Sequence, residues 1–130
     1  KQVGLNVASD PLMSLDSRIK GGMVILVADD PGPIFSDRAG YQTFFQISKL
    51  PCFDPSSAQE AYEMIQEAFE YSEKYGTPVF LRPTTRAVMA SVYHGKDETE
   101  YTHHQPEGFI KDSKRWVIFP RLSFMNHKKI

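Results

Sequence analysis

Gly21-Gly22-Met23-Val24-Ile25-Leu26-Val27-Ala28-Asp29-Asp30-Pro31-Gly32-Pro33 is the stretch that decides the fold. Met23 to Ala28 is unbroken apolar sequence of strand length, with no charge inside it. Such a run is the pattern of a strand buried on both faces, as in a parallel sheet covered by helices. Pro31 and Pro33 lack amide donors and Gly32 permits a turn, so the strand gives way to a loop that starts at Asp29.

The pattern repeats outward from this strand. Upstream, Asp10-Pro11 reads as a helix start, with Asp as cap and Pro in the first turn. Leu12, Leu15 and Ile19 then mark one apolar face, and Gly21-Gly22 ends the segment. Downstream, Tyr41, Phe44, Phe45 and Ser48 share a helical face between Arg38 and Lys49. Pro51-Cys52-Phe53 reads as a very short strand. Ser57-Ala58-Gln59-Glu60 is a capping box, opening a helix with Ala61, Ile65, Ala68 and Phe69 inside and most of its acidic residues outside. Gly76 stops it, and Thr77-Pro78 leads into Val79-Phe80-Leu81, a second buried strand. Alternating helices and strands predict an α/β fold: a doubly wound, mainly parallel sheet with helices on both faces. Right-handed crossovers put the loops after Ala28 and Leu81 on one edge. That carboxyl edge is where open α/β sheets bind ligands, so Asp29–Ser36 and Pro83–Arg86 are the candidate ligand loops.

The predicted organisation is a partial α/β domain over residues 1–90 and a linker with an extended C-terminal tail over 91–130. Tyr93 to Glu107 is polar, and Phe109 to Pro120 suggests a strand or extended anchor. Asn126 to Ile130 is basic and is expected to fray or to lead into a further domain. The chain opens in mid-pattern without Met, as expected of a piece of something larger. At 130 residues it suffices for one core. Its 41% apolar and 24% charged residues are ordinary for a globular protein. A net charge of −1 gives no electrostatic reason to expect nucleic acid or an anionic membrane as partner. No run approaches the roughly 18 apolar residues of a membrane span. The lone cysteine, Cys52, rules out an internal disulfide or a four-thiolate cluster and suits a reducing cytoplasm.

Few residues carry chemistry by themselves. Asp29-Asp30 is the nearest thing to a catalytic carboxylate pair, but adjacent acids after a strand more often serve turns and caps. His94, His103 and His104 lie in polar sequence with no cysteine nearby, which favours a solvated linker over a zinc site. Arg86, in Thr84-Thr85-Arg86 after a buried strand, either forks onto a carboxylate or phosphate or pairs with an acid such as Asp29. Cys52, between Pro51 and Phe53, reads as an inert core thiol. No Walker A, G-x-G-x-x-G or G-x-S-x-G motif is present.

Longer segments carry a resemblance. They are Val3-Gly4-Leu5-Asn6-Val7-Ala8, Asp10-Pro11-Leu12, Lys20-Gly21-Gly22 through Val27-Ala28-Asp29-Asp30-Pro31-Gly32, Glu60-Ala61-Tyr62, Ser72-Glu73-Lys74-Tyr75, Thr77-Pro78-Val79, Leu81-Arg82-Pro83-Thr84-Thr85-Arg86, Gly108-Phe109, Lys111-Asp112 and Arg115-Trp116-Val117. In order and spacing the chain resembles the α subunits of the indolepyruvate:ferredoxin oxidoreductases, thiamine-diphosphate enzymes of the 2-oxoacid oxidoreductase family. The resemblance implies the C-terminal part of a pyrimidine-binding domain. It implies a full enzyme that oxidatively decarboxylates aryl 2-oxoacids to acyl-CoA, with thiamine diphosphate and Mg²⁺ as cofactors, iron–sulfur clusters elsewhere, and ferredoxin as electron acceptor. Its partners would be the remaining α-subunit domains and a β subunit. The cofactor's glutamate, the pyrophosphate domain and the cluster cysteines are not in this stretch. The chain alone is therefore expected to bind no cofactor and to catalyse nothing.

By the same resemblance Gly4 and Asn6 belong to a cofactor-facing loop, and Asp29, Asp30, Gly32, Ser36 and Arg86 to the substrate side. Three departures touch these positions: Gln2 where the family usually has His, Phe35 to Tyr41 in place of a polar loop, and Ala87-Val88-Met89-Ala90 in place of a Ser-His pair. They leave a rival reading, a non-catalytic α/β assembly module derived from the same domain. Exposed former interface predicts self-association, with Leu5, Val7 and Leu12 near the contact.

Overall fold

The computed structural model describes residues 2–14, 19–28, 41–92, 105, 107–117 and 119–128. Among these the chain runs α1 (Gln2–Val7), α2 (Ser9–Ser14), β1 (Val24–Leu26), α3 (Tyr41–Ser48), β2 (Cys52–Phe53), α4 (Ala58–Tyr75), β3 (Val79–Leu81), α5 (Thr85–Met89), α6 (Ser113–Trp116) and α7 (Pro120–His127).

The strands form one sheet in the order β1-β3-β2. Both pairings are parallel, with Leu26 level with Leu81 and Phe53 also level with Leu81. The expected parallel α/β arrangement is the observed one. β3 is central, and Val79, Phe80 and Leu81 are all buried. The two crossovers run in opposite directions across the sheet, which puts their helices on opposite faces. Ring contacts agree: Phe45 of α3 meets Phe80 edge-on at 4.8 Å, while Tyr71 of α4 meets Phe53 at 6.1 Å. On the α3 face Leu5, Val27, Leu50 and Phe80 form the core, with Leu12, Ile25 and Phe45 packed against it.

β1 departs from its expected burial. It is an edge strand, and Leu26 is 66% exposed. An unbroken apolar run fits a strand covered on both faces, but the described residues give β1 a neighbour on one side only.

α4 follows its sequence closely. Ser57 caps it by accepting from the Glu60 amide at 3.1 Å. The Glu60 carboxylate reaches back to Ser56, accepting from its amide at 2.7 Å and its hydroxyl at 2.6 Å. Gly76 closes the helix in the left-handed region, φ 61°, donating to the Ser72 carbonyl. Ala68 is fully buried, but Phe69, expected inside, lies half out against Gly22. Ser72 takes the inner position that a purely apolar reading overlooks. Its fully buried hydroxyl accepts from the Met23 amide at 2.9 Å and donates to the Thr77 carbonyl at 2.6 Å. One side chain thus ties α4 to the starts of both β1 and β3.

The first helix starts earlier than expected. Asp10 and Pro11 lie inside α2 rather than opening it. Pro11 has no amide to give the carbonyl four residues back, at Val7, where α1 ends. Ile19, expected on that helix, instead donates its amide to Gly76 at 3.1 Å. Leu15 lies outside the described residues. Of the strand or extended anchor expected over Phe109 to Pro120, the described residues show no strand: 107–112 lack regular structure, Asp112 then caps the short helix α6 through the Lys114 amide, and Pro120 sits in the first turn of α7. Asn126, expected to fray, is buried. No helix among the described residues is long and apolar enough to cross a membrane.

Candidate functional site

The carboxyl edge of the sheet carries the most developed polar geometry. Backbone pairing continues one residue past the strands there: Arg82 donates its amide to the Phe53 carbonyl at 2.8 Å, and Val27 donates to Leu81 at 2.9 Å. Side chains alternate along a strand, so Arg82 shares the α3 face with Phe80, and Asp54 shares it with Cys52. The Arg82 guanidinium pairs with the Asp54 carboxylate and lies 5.8 Å over the Phe45 ring. The Arg82 side chain is only 17% exposed, against 47% for Asp54. Residues from β3, β2 and α3 are thus pinned together where the ligand loops depart. Neither Arg82 nor Asp54 is among the candidate site residues that the sequence suggests. An arginine directly after a buried strand, with an aspartate directly after the neighbouring one, is the signal that finds them.

Cys52 sits on the same face and is exposed, not the core thiol expected, because β2 is an edge strand whose other residue, Phe53, takes the α4 side. Desolvation pushes its thiol pKa up, the Arg82 cation pulls the other way, and the Asp54 charge adds to the rise. A raised pKa leaves less thiolate than a free cysteine carries at neutral pH.

The sequence-predicted residues distribute as follows. Arg86 is exposed in the first turn of α5, a helix capped by Thr84 through the Ala87 amide. The loop expected over Pro83–Arg86 is therefore shorter, with Thr85 and Arg86 already helical. Among the described residues Arg86 makes no ion pair. Gly4 and Asn6 lie on helix α1 and not in a loop. Gly4 accepts from the Ala8 amide, and the Asn6 carbonyl accepts from the Ser9 hydroxyl at 2.6 Å. A Cβ at Gly4 would meet nothing within 4 Å, so neither crowding nor a positive φ requires glycine there. Leu5 is in the core and Leu12 packs against it, which removes both from the expected association surface and leaves Val7, 76% exposed. Asp29, Asp30, Gly32, Ser36, His94, His103 and His104 lie outside the described residues. Among the described residues no three His, Cys, Asp or Glu side chains converge on a point that would hold a metal.

A second concavity, of about 820 Å³, is built from the C-terminal elements alone, lined by Val117, Phe119, Leu122 and Met125 with Lys114 and Arg121 among them. Its described lining, which also includes Ser113, is mainly apolar and basic.

A parallel sheet with helices around it defines a class, the α/β proteins, whose open sheets bind ligands at the carboxyl edge as a rule. Comparison narrows it. The chain is 41% identical over 134 aligned residues to indolepyruvate oxidoreductase subunit IorA of Methanothermobacter thermautotrophicus, covering 100% of this chain and 21% of the relative. To the subunit of the same name from Pyrococcus horikoshii it is 45% identical over 133 residues, covering 98% of the chain and 20% of that protein. To that from Methanothermobacter marburgensis it is 44% identical over 134 residues, covering 100% and 21%. The chain belongs to the indolepyruvate oxidoreductase subunit family, and it spans about a fifth of the length of the curated relatives it matches. No family model matches it. No solved structure matches it.

Proposed function

We propose that the chain is the part of an indolepyruvate oxidoreductase α subunit that forms one wall of a thiamine-diphosphate site. The observation that carries this reading is the likeness, along the whole of this chain, to about a fifth of the subunits of that name, joined to a carboxyl edge that ends in Arg82-Pro83-Thr84-Thr85-Arg86. The complete enzyme would oxidatively decarboxylate an aryl 2-oxoacid to an acyl-CoA, with ferredoxin as acceptor. It would need the rest of the α subunit, a β subunit, Mg²⁺ and iron–sulfur clusters. Thiamine diphosphate supplies the carbanion-stabilising chemistry when bound.

The described residues fit one end of that cofactor. Asn6 is exposed and carries an amide that can both donate and accept, as an aminopyrimidine edge requires. The Mg²⁺ and pyrophosphate end would be held by the rest of the assembly. Gly4 and Asn6 remain the proposed cofactor-facing positions, and Asp29, Asp30, Gly32, Ser36 and Arg86 the proposed substrate side. The Arg82–Asp54 pair keeps the edge in shape, and Arg86, exposed in the first turn of α5, receives the substrate carboxylate. The chain by itself catalyses nothing.

Arg86→Lys in the complete enzyme tests this role. The bidentate fork is lost at roughly 1.5–3 kcal/mol for a charged hydrogen bond. The Michaelis constant should rise more than tenfold while the melting point holds. A depressed melting point with unaltered kinetics would remove Arg86 from the site. Titration calorimetry of the isolated chain with Mg²⁺ and thiamine diphosphate should show nothing tighter than about 10 μM, near −7 kcal/mol.

A further inference from the structure

We propose that Arg82 and Asp54 are positioning residues for Arg86, fixing how α5 leaves the sheet and so where the Arg86 cation meets the substrate carboxylate; this rests on the carboxylate role proposed for Arg86 above. Only Pro83 and Thr84 separate Arg82, still paired to the segment after β2, from Thr85, the first residue of α5. That connection has few soft dihedrals. Arg82 precedes a proline, which confines it to extended backbone, and the Pro83 ring fixes its own φ. Pro83 is buried. Thr84 is extended, φ −77° and ψ 162°, and closes the first turn of α5 with two oxygens. Its hydroxyl accepts from the Ala87 amide at 3.4 Å and its carbonyl from the Val88 amide at 3.0 Å. A rotation at Arg82 is therefore carried into α5 and to Arg86 rather than absorbed between them.

Arg82 is held in two directions. Its amide donates to the Phe53 carbonyl at 2.8 Å within the sheet. Its guanidinium lies over the Phe45 ring and pairs with Asp54 on the α3 face. Two consecutive residues, Phe53 and Asp54, thus take the backbone and the side chain of the same arginine. A lone backbone bond lets a strand end pivot about it; a planar guanidinium set between a ring and a carboxylate resists that pivot. On the other face of the sheet α5 packs against α4, with Ala87 buried. The chain is gripped from both faces where it leaves β3, and exposed Arg86 is the charge that this grip presents.

The test is made in the complete enzyme. Asp54→Asn removes the acid from the pair and leaves Arg86 in place. The Michaelis constant for the 2-oxoacid should rise about fivefold with kcat little changed. Fivefold corresponds to about 1 kcal/mol, the upper end for a partly exposed pair. Arg82→Lys, which keeps the charge and loses the planar fork, should give a similar rise, so either variant decides if the other does not fold. Asp54→Glu, which restores the carboxylate, should recover part of the loss. In an enzyme already carrying Arg86→Lys, Asp54→Asn should add nothing, because the group it positions is gone. A double variant whose rise equals the product of the two single rises overturns the proposal, since the pair then acts without Arg86. So does an unchanged Michaelis constant in folded Asp54→Asn and Arg82→Lys where Arg86→Lys raises it, and the carboxylate role of Arg86 then stands. An Arg86→Lys enzyme with unaltered kinetics overturns the carboxylate role and the positioning role together.

Discussion

Ser72→Ala is the substitution whose cost the structure defines best. The hydroxyl is fully buried and makes two backbone bonds, from the Met23 amide at 2.9 Å and to the Thr77 carbonyl at 2.6 Å. Thr77 is itself buried, so its carbonyl has little access to water once the hydroxyl is gone. Each bond contributes about 0.5–1.5 kcal/mol net, and a buried orphan acceptor costs about 1–3 kcal/mol, two views of the same loss that overlap rather than add. Alanine returns about 0.5 kcal/mol as the better helix former. The net is about 2 kcal/mol of destabilisation. For 130 residues, unfolding entropy near 2.1 cal/mol/K per residue gives about 0.27 kcal/mol/K, so the melting point should fall by about 7 °C. Urea unfolding followed by circular dichroism measures this, with Gln66→Ala on the exposed face of the same helix as a control expected within about 0.5 kcal/mol. Hydrogen exchange should report faster opening at the Met23 amide. A Ser72→Ala loss under about 0.5 kcal/mol would refute the idea that this hydroxyl joins helix and sheet.

The Arg82–Asp54 pair is partly exposed, so a double-mutant cycle with Arg82→Gln and Asp54→Asn should give a coupling of only about 1 kcal/mol after solvent screening; a value near zero would mean the two do not hold the edge together. Gly22→Ala brings a Cβ within 2.8 Å of the Phe69 ring and 3.3 Å of its carbonyl, and should cost about 1–3 kcal/mol in thermal unfolding. Gly4→Ala has open space within a helix and should instead stabilise by about 0.5–1 kcal/mol; a loss would point to a requirement for glycine that the packing does not contain. Hydrogen bonds from Ser56 hold the Glu60 carboxyl below its ordinary value of 4.5. Its folded pKa is the lower one, so its contribution is present above about pH 4.5 and is lost as pH falls through the folded value. Glu60→Gln should therefore flatten the acid limb of a stability-against-pH curve, and an unchanged limb would remove Glu60 from the cap.

The sequence by itself determined the elements whose causes are local. Ser57 and Gly76 bound α4 because a hydroxyl cap and a left-handed glycine act within a turn of themselves. Val79-Phe80-Leu81 forms the buried strand that its apolar run predicts. The parallel α/β order followed from alternating periods, and the motifs carried the family. What depended on neighbours distant in sequence was decided only by the tertiary structure. The apolar run at Met23–Ala28 specifies a strand but not its place in the sheet, and at the edge Leu26 is left exposed. Cys52 reads as buried beside Pro51 and Phe53, yet pleating turns it outward once Phe53 takes the α4 face. Gly4 and Asn6 are helical because backbone hydrogen bonds, and not the resemblance, set the local conformation. Arg82 and Asp54 are 28 residues apart, and only parallel pairing of β2 with β3 sets their charges face to face. Local signals fix local structure through nearby hydrogen bonds and sterics; burial and charge pairing depend on which strands become neighbours, and that is settled when the sheet assembles.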